Sequence, residues 1–322
     1  MRRSALLVLM LLAPVSAWAQ DACDRPCLEQ MLERYVDALV ARDPSKLSTT
    51  TSVVFTENGQ RLALGDGLWH TVTGRGGYAL RLADVERGQA VLMGTIREAD
   101  VPTILVVRLK VERRRIAEAE TLVIRNEAAA KSLDTIGTPR AAWSQPVPAA
   151  ERSTRGDLVR IANMYFSGIE RNDGKGQYPI ADACARLENG VWTAGGPART
   201  GCRQQFESGV FFYVTRIRDR RFVLVDPERG LAFAFAFFDN GSGDAATARW
   251  RTAGKWCRAR RFHGPGRLPR CSRSSAASSA PWSPCSIRFP TGWDPDGARG
   301  SRRCPARHER SGRSGRSGES GR

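Results

Sequence analysis

Between residues 165 and 239 the chain carries a set of side chains able to move a proton: Tyr165, Tyr178, Asp182, Arg186, Tyr213, Arg216 and Asp239. In an apolar setting a carboxylate can abstract a proton from carbon, a tyrosine hydroxyl can hydrogen-bond the developing oxyanion, and an arginine can anchor an anionic group. Asp182 or Asp239 is the expected base. Tyr165 and Tyr178 are the expected donors, Arg186 or Arg216 the anchor, and Tyr213 a further ligand contact. His70, the one histidine of the three that precedes the C-terminal stretch, is the default general base of the first half. Each residue also has a plain structural alternative. Tyr165 and Tyr35 fit a helical core, and Asp182 and Arg186 fit an i,i+4 pair on a solvated turn. Glu57 and Glu188 fit turns, Asp239 a hairpin, Arg216 the charged run 216–221, and His70 an exposed site beside Trp69.

Other chemistries lack their residue patterns. The sequence holds no G-x-S-x-G, no H-E-x-x-H and no dinucleotide fingerprint, and the glycines near Gly174 lack a phosphate-loop context. No cofactor and no metal are expected, and the expected partner is a small apolar or aromatic organic ligand. Outside the C-terminal stretch four cysteines remain: Cys23, Cys27, Cys184 and Cys202. Two disulfides are expected, Cys23–Cys27 across one helical turn and Cys184–Cys202 across a loop.

The elements that must position these residues occur twice. In 28–43, Leu28, Met31, Leu32, Tyr35, Val36 and Leu39 share one helical face, with Asp24 and Pro26 as start signals. In 157–173, Leu158, Ile161, Tyr165, Phe166 and Ile169 do the same. Asn58-Gly59 and Asn189-Gly190 mark hairpin turns. The string DVERG at Asp84 precedes a strand from Ala90 to Ile96, and DPERG at Asp226 precedes one from Leu231 to Phe238. The first copy continues through strands 104–111 and 116–124, with Leu105, Val107, Leu109 and Val111 alternating inward. Residues 126–154, rich in Ala, Pro and Ser, read as a linker. Residues 202–220 are ambiguous in type, although the spacing of Phe206, Val210, Val214 and Ile217 favours a helix.

The strings CDRPCLEQMLERYVDALVARDPSKL, FTENGQRLALGDGLW, ANMYFSGIERNDGKGQYPIADACARLENG and VTRIRDRRFVLVDPERGLAFAFAFFD span most of 23–240. This body resembles two tandem domains of the SnoaL-like, nuclear-transport-factor-two-like superfamily. More closely, it is similar to an uncharacterised family of secreted bacterial and fungal proteins. The resemblance implies an α+β fold of two tandem cone-shaped domains, each a helix packed on a curved antiparallel sheet. It does not fix an activity, because isomerases, cyclases, dehydratases, lyases and binding domains share the superfamily.

The two ends read differently. Arg2-Arg3, the apolar run from Ala5 to Val15 and Ala17-Trp18-Ala19 form a secretory leader over 1–19. The mature protein is thus expected in the periplasm or outside the cell, with no membrane span. The whole chain carries 50 Lys and Arg against 33 Asp and Glu, net +17, yet the part before Arg249 accounts for only +3. From there on the composition is Arg, Ser, Gly and Pro without hydrophobic period, which predicts a disordered basic tail. Its charge suits phosphates without sequence preference, so no specific nucleic acid is expected. Shifting the tail's codons by one base yields two strand-like runs, WTWQIAEVFKI and LIGAVEPVLHQV, joined by a turn. A frameshift is therefore expected to have removed the closing hairpin of the second copy, leaving an open edge and the apolar run 231–238 uncovered.

The expected organisation is a leader over 1–19, a first α+β domain over 20–126 and a linker over 127–154. An incomplete second domain over 155–246 and the tail over 247–322 follow. The expected activity is a cofactor-independent lyase, dehydratase or isomerase, with a non-catalytic ligand-binding or interaction module as the alternative, and a homodimer as the expected assembly if the chain associates.

Overall fold

A computed structural model describes residues 22–241 other than 172, 177, 197 and 199, together with the backbone of three short strands beyond them. The leader and most of the tail lie outside the described residues, so the readings made for them lie there too. The described residues fall within one compact unit. Among them no helix is long and apolar enough to cross a membrane.

The fold is α+β. Helix α1 (Arg25–Val40) starts where Asp24 accepts a hydrogen bond from the Cys27 N–H at 3.0 Å, with Pro26 in its first turn. The Cys23–Cys27 disulfide closes the same turn. Its buried face is the one read from spacing, Leu28 through Leu39. Strands β1 (Thr49–Glu57) and β2 (Gln60–Leu62) follow, turning at Asn58 and Gly59 with φ of 49° and 81°. A short helix α2 (Leu68–Thr71) leads into β3 (Val72–Asp84), β4 (Gln89–Glu98), β5 (Val101–Glu112) and β6 (Arg115–Ile124). These build a six-stranded curved sheet in the order β2-β1-β6-β5-β4-β3. Every neighbouring pair is antiparallel except β1 with β6.

The first sheet is apolar on both faces because both are covered. Leu105, Val107 and Leu109 of β5 join α1 in one core, while Ile104 and Val106 point into a second. That second core reaches across to Leu224, Leu231, Phe233 and Phe235. The stretch read as a linker contributes to it. Helix α3 (Glu127–Ile136), capped by Asn126, buries Ala129, Ala130 and Leu133 against the outer face of the sheet. An Ala-rich segment with a cap is a helix waiting for a surface, and the sheet supplies one.

From Arg155 the order repeats. Helix α4 (Arg155–Arg171) opens on a reciprocal cap, Thr154 Oγ1 with the Asp157 N–H at 3.1 Å and with the Asp157 carboxylate at 2.7 Å. Strands β7 (Arg186–Glu188) and β8 (Val191–Ala194) turn at Asn189 and Gly190, with φ of 47° and 79°. Then come α5 (Cys202–Ser208), β9 (Val214–Asp226) and β10 (Leu231–Asn240). Strands β3 and β9 are both 13 residues long, and β4 and β10 both 10. The helix expected over 202–220 stops at Ser208, because Gly209 adopts a left-handed φ of 75°. The arginines after it lie on a strand.

Two expectations about the second sheet need correction. Phe233 and Phe235 are fully buried in the core shared with the first half, so the apolar run is covered. The alanines between them face α4 and its neighbours. The tail also supplies a strand. Strands β11 (Trp250–Thr252) and β12 (Lys255–Cys257) pair with each other, and β13 (Ser283–Arg288) pairs antiparallel with β10 over Leu231–Ala236. It takes the edge of β10 that corresponds to the edge of β4 held by β5.

Candidate functional site

The site is assembled where α4, the β7–β8 hairpin and α5 meet. Tyr165 stands on the side of α4 that packs against a further core of Ile169, Tyr178, Phe206 and Phe211, and Phe166, next to it, is fully buried. One turn on, Gly168 leaves room for rings: a Cβ there would come within 3.0 Å of both Phe206 and Tyr178. Glycine costs a helix interior about 1 kcal/mol relative to alanine, and here it lets aromatic side chains lie directly on the helix. Phe206 of α5 is the centre of that packing, with ring centroids 5.3 Å from Tyr165, 5.2 Å from Tyr178 and 5.2 Å from Phe211. The Cys184–Cys202 disulfide ties the start of α5 to the loop before β7, which fixes this wall against the hairpin.

Arg186 reaches into the group from β7. Its Nε donates to the Tyr165 hydroxyl at 3.0 Å, and its terminal nitrogens lie 3.2 Å from Thr193 Oγ1 and 2.9 Å from Glu188 Oε2. Its guanidinium also sits over the Phe211 ring, 5.0 Å from the centroid. Burial alone lowers its pKa, but the neighbouring Tyr165 and Glu188 raise it above the ordinary arginine value. Tyr213 stands at the rim. Burial and then Glu188 push its hydroxyl pKa up, with Arg186 opposing. Val191, Phe212 and Tyr213 are exposed apolar side chains of the same half, at 56%, 39% and 40%. Gln205 of α5 donates through Nε2 to the Thr193 carbonyl, which closes the base of the cluster. A cation held by a phenol, a hydroxyl and a carboxylate within an aromatic wall can anchor an anionic or carbonyl oxygen and pass a proton.

Four of the residues singled out from sequence gather here: Tyr165, Tyr178, Arg186 and Tyr213. The other four stand elsewhere. Asp182 is exposed in the turn before Cys184, so Asp182 and Arg186 share no helical turn. Asp239, next to last in β10, accepts from Arg218 Nε on both carboxylate oxygens, at 3.0 and 3.2 Å. Arg216 is exposed on β9, opposite Asp239 in register. His70 is exposed on α2, 3.4 Å from Asp66. The carboxylate beside Arg186 is Glu188, which its place before Asn-Gly had suggested only as a turn residue. Thr193, Phe206 and Phe211 were not singled out. A signal for Phe206 lies in its neighbour Cys202, because a disulfide-anchored helix start carries whatever follows it into a fixed place.

The first half carries a counterpart built differently. Tyr35, on α1, is fully buried with its ring 5.6 Å from Trp69, edge to face. Among the described residues the Tyr35 hydroxyl has only the Trp69 indole N–H near it, too poorly aligned for a full hydrogen bond yet close enough to oppose the upward push of burial on the phenol. Glu57, the counterpart of Glu188, is buried and accepts from the Leu68 N–H at 2.8 Å. Gly67, with φ of 65°, makes that possible, since a Cβ there would stand 2.6 Å from Glu57 Oε2. A surface cleft of about 520 Å³ lies apart from both groups, lined by Thr50, Glu112, Arg113 and Arg115. Its polar lining has no aromatic or aliphatic wall, so it is a poor seat for an apolar ligand.

A family described as "Domain of unknown function (DUF8021)" matches residues 151–260, a third of the chain that includes this site. No curated protein matches. Among solved structures, AclR from Streptomyces galilaeus is 11% identical over 34% of this chain and 85% of its own, with a TM-score of 0.28. A de novo designed protein with a curved β-sheet is 11% identical over 35% of this chain and 98% of its own, also at 0.28. A protein from Kribbella flavida is 17% identical over 34% of this chain and 96% of its own, at 0.26.

Proposed function

We propose that the cluster around Arg186 binds a small, largely apolar organic molecule through an anionic or carbonyl oxygen and performs acid–base chemistry on it without a cofactor. The reaction class is elimination or isomerisation, that of a lyase, dehydratase or isomerase. The observation that carries this reading is the group Tyr165–Arg186–Glu188, a phenol, a cation and a carboxylate joined by contacts of 3.0 and 2.9 Å beside the Phe206 and Phe211 rings. In this reading Arg186 orients the substrate oxygen and polarises the Tyr165 hydroxyl, Glu188 accepts the proton, and Tyr213 closes the rim. Glu188 takes the role first expected of Asp182 or Asp239. The order of helix, hairpin, short helix and long strands supports likeness to the SnoaL-like superfamily. The two disulfides support work in an oxidising compartment, in keeping with the expected leader.

One observation favours the non-catalytic alternative. All three nitrogens of Arg186 already meet protein oxygens, on Tyr165, Thr193 and Glu188, which is also how an arginine holds a binding wall in shape. Screening small aromatic carboxylates and ketones by thermal shift, with mass spectrometry of each hit, tests both readings. The catalytic reading predicts a hit that is chemically changed, no change with Glu188→Gln, and loss of binding with Arg186→Ala. A hit that binds and returns unaltered establishes the binding module. Hits indifferent to Arg186→Ala remove this cluster from either reading.

A further inference from the structure

Among the contacts between the two halves, one is made twice in opposite directions. Arg25, the first residue of α1, forks onto Asp226 at 2.9 and 3.1 Å and onto Glu228 at 2.6 Å. Arg155, the first residue of α4, forks onto Asp84 at 2.7 and 2.8 Å and onto Glu86 at 2.9 Å. Asp84-Val85-Glu86-Arg87-Gly88 and Asp226-Pro227-Glu228-Arg229-Gly230 are the corresponding turns of the two copies, β3 to β4 and β9 to β10. Each half therefore offers one helix-start arginine and one Asp-x-Glu turn, and each turn receives the other half's arginine. The turn aspartates are almost fully buried, at 2% and 3%, and each also accepts from its own turn, Arg87 N–H on Asp84 and Arg229 N–H on Asp226. Leu82 and Val91 of one half share an apolar core with Phe233 and Phe235 of the other.

Exchange of equivalent contacts about an axis is the property of an isologous interface between copies. We propose that this face is a self-recognising association surface: the partner it fits is another copy of the same α+β unit, and the link between the halves is not what holds them together. The arginine-to-Asp-x-Glu fork sets which unit is accepted, since bidentate charged contacts discriminate by geometry and like charges placed opposite repel. The inference does not depend on the reading of the Arg186 site.

Cutting the intact protein between the halves tests it. A specific protease site is introduced at Ala149–Ala150, on an exposed stretch after α3, and the full chain is cleaved after folding. The two fragments are expected to remain a one-to-one complex at low dilution in gel filtration and light scattering. Arg25→Glu is expected to weaken that complex about 100-fold or more. Asp226→Lys with Glu228→Lys in the same chain is expected to restore most of it. Circular dichroism of the cleaved proteins reports whether each remains folded. Folded fragments that part on cleavage overturn the proposal. So does a complex whose affinity ignores Arg25→Glu, or a reversed-charge chain that is no tighter than Arg25→Glu alone.

Discussion

Tyr35 and Tyr165 hold the same place on their helices, eight residues before an aspartate, and Glu57 and Glu188 hold the same place before their Asn-Gly turns. In the first half the tyrosine is sealed against Trp69, while the glutamate accepts from a backbone N–H and lies 3.8 Å from Arg125, away from the tyrosine's own contacts. In the second the tyrosine meets an arginine that also holds the glutamate, and the hairpin stays half open. Arg186 joins the tyrosine to the glutamate, whereas Arg125 of the first half meets the glutamate alone. One half holds these groups within its packing and the other gathers the matching positions into a charged cluster.

The largest difference should appear when the two hydroxyls are removed. Tyr165→Phe takes an acceptor from a charged donor and should cost about 1.5–3 kcal/mol. Tyr35→Phe removes a buried hydroxyl approached only by the Trp69 indole N–H and should cost about 1 kcal/mol at most. Urea unfolding of the two variants measures both, and equal losses would erase the distinction between the halves.

Acid gives a smaller contrast. Burial pushes the Glu98 and Glu118 carboxyls of the first half up, but Arg125 and Arg108 more than offset it and leave both lowered. In the second half the hydrogen bond from Arg25 lowers Glu228. A lowered folded pKa means that the stabilisation is complete above the unfolded glutamate value of about 4.3 and is lost as pH falls through the folded value. Melting temperature should therefore hold from neutral pH to about 4.3 and then drop. Arg125→Gln should start lower and fall less steeply in acid; a curve parallel to the parent would show that Glu98 contributes nothing.

Much of this was readable beforehand, for reasons that vary with the element. The faces of α1 and α4, both Asn-Gly turns and the alternation on β5 follow from local periodicity and turn chemistry, which tertiary contacts only reinforce. Helix α3 was read as linker because its apolar face is three residues wide and means little without the sheet beneath it. The stretch after Ser208 is ambiguous in sequence because Phe206, Val210, Val214 and Ile217 keep helical spacing across Gly209, which ends the helix. Within the site, Tyr165 and Arg186 were legible as chemistry-bearing types, whereas Glu188 was hidden by its turn context. Asp182 looked well placed in sequence, but the loop held by Cys184 turns it toward solvent.

The two Asn-Gly corners also differ in how they age. An asparagine before glycine closes to a succinimide when the next backbone nitrogen reaches its side-chain carbonyl, and then opens to aspartate or isoaspartate. Asn58 is restrained from this, since its amide is stitched to the Val123 backbone at 2.8 and 3.3 Å. Asn189 is exposed at the tip of the hairpin that carries Arg186 and Glu188. Peptide mapping of stored protein should find isoaspartate at 189 well before 58. Time alone would then add a negative charge to the hairpin that carries Arg186.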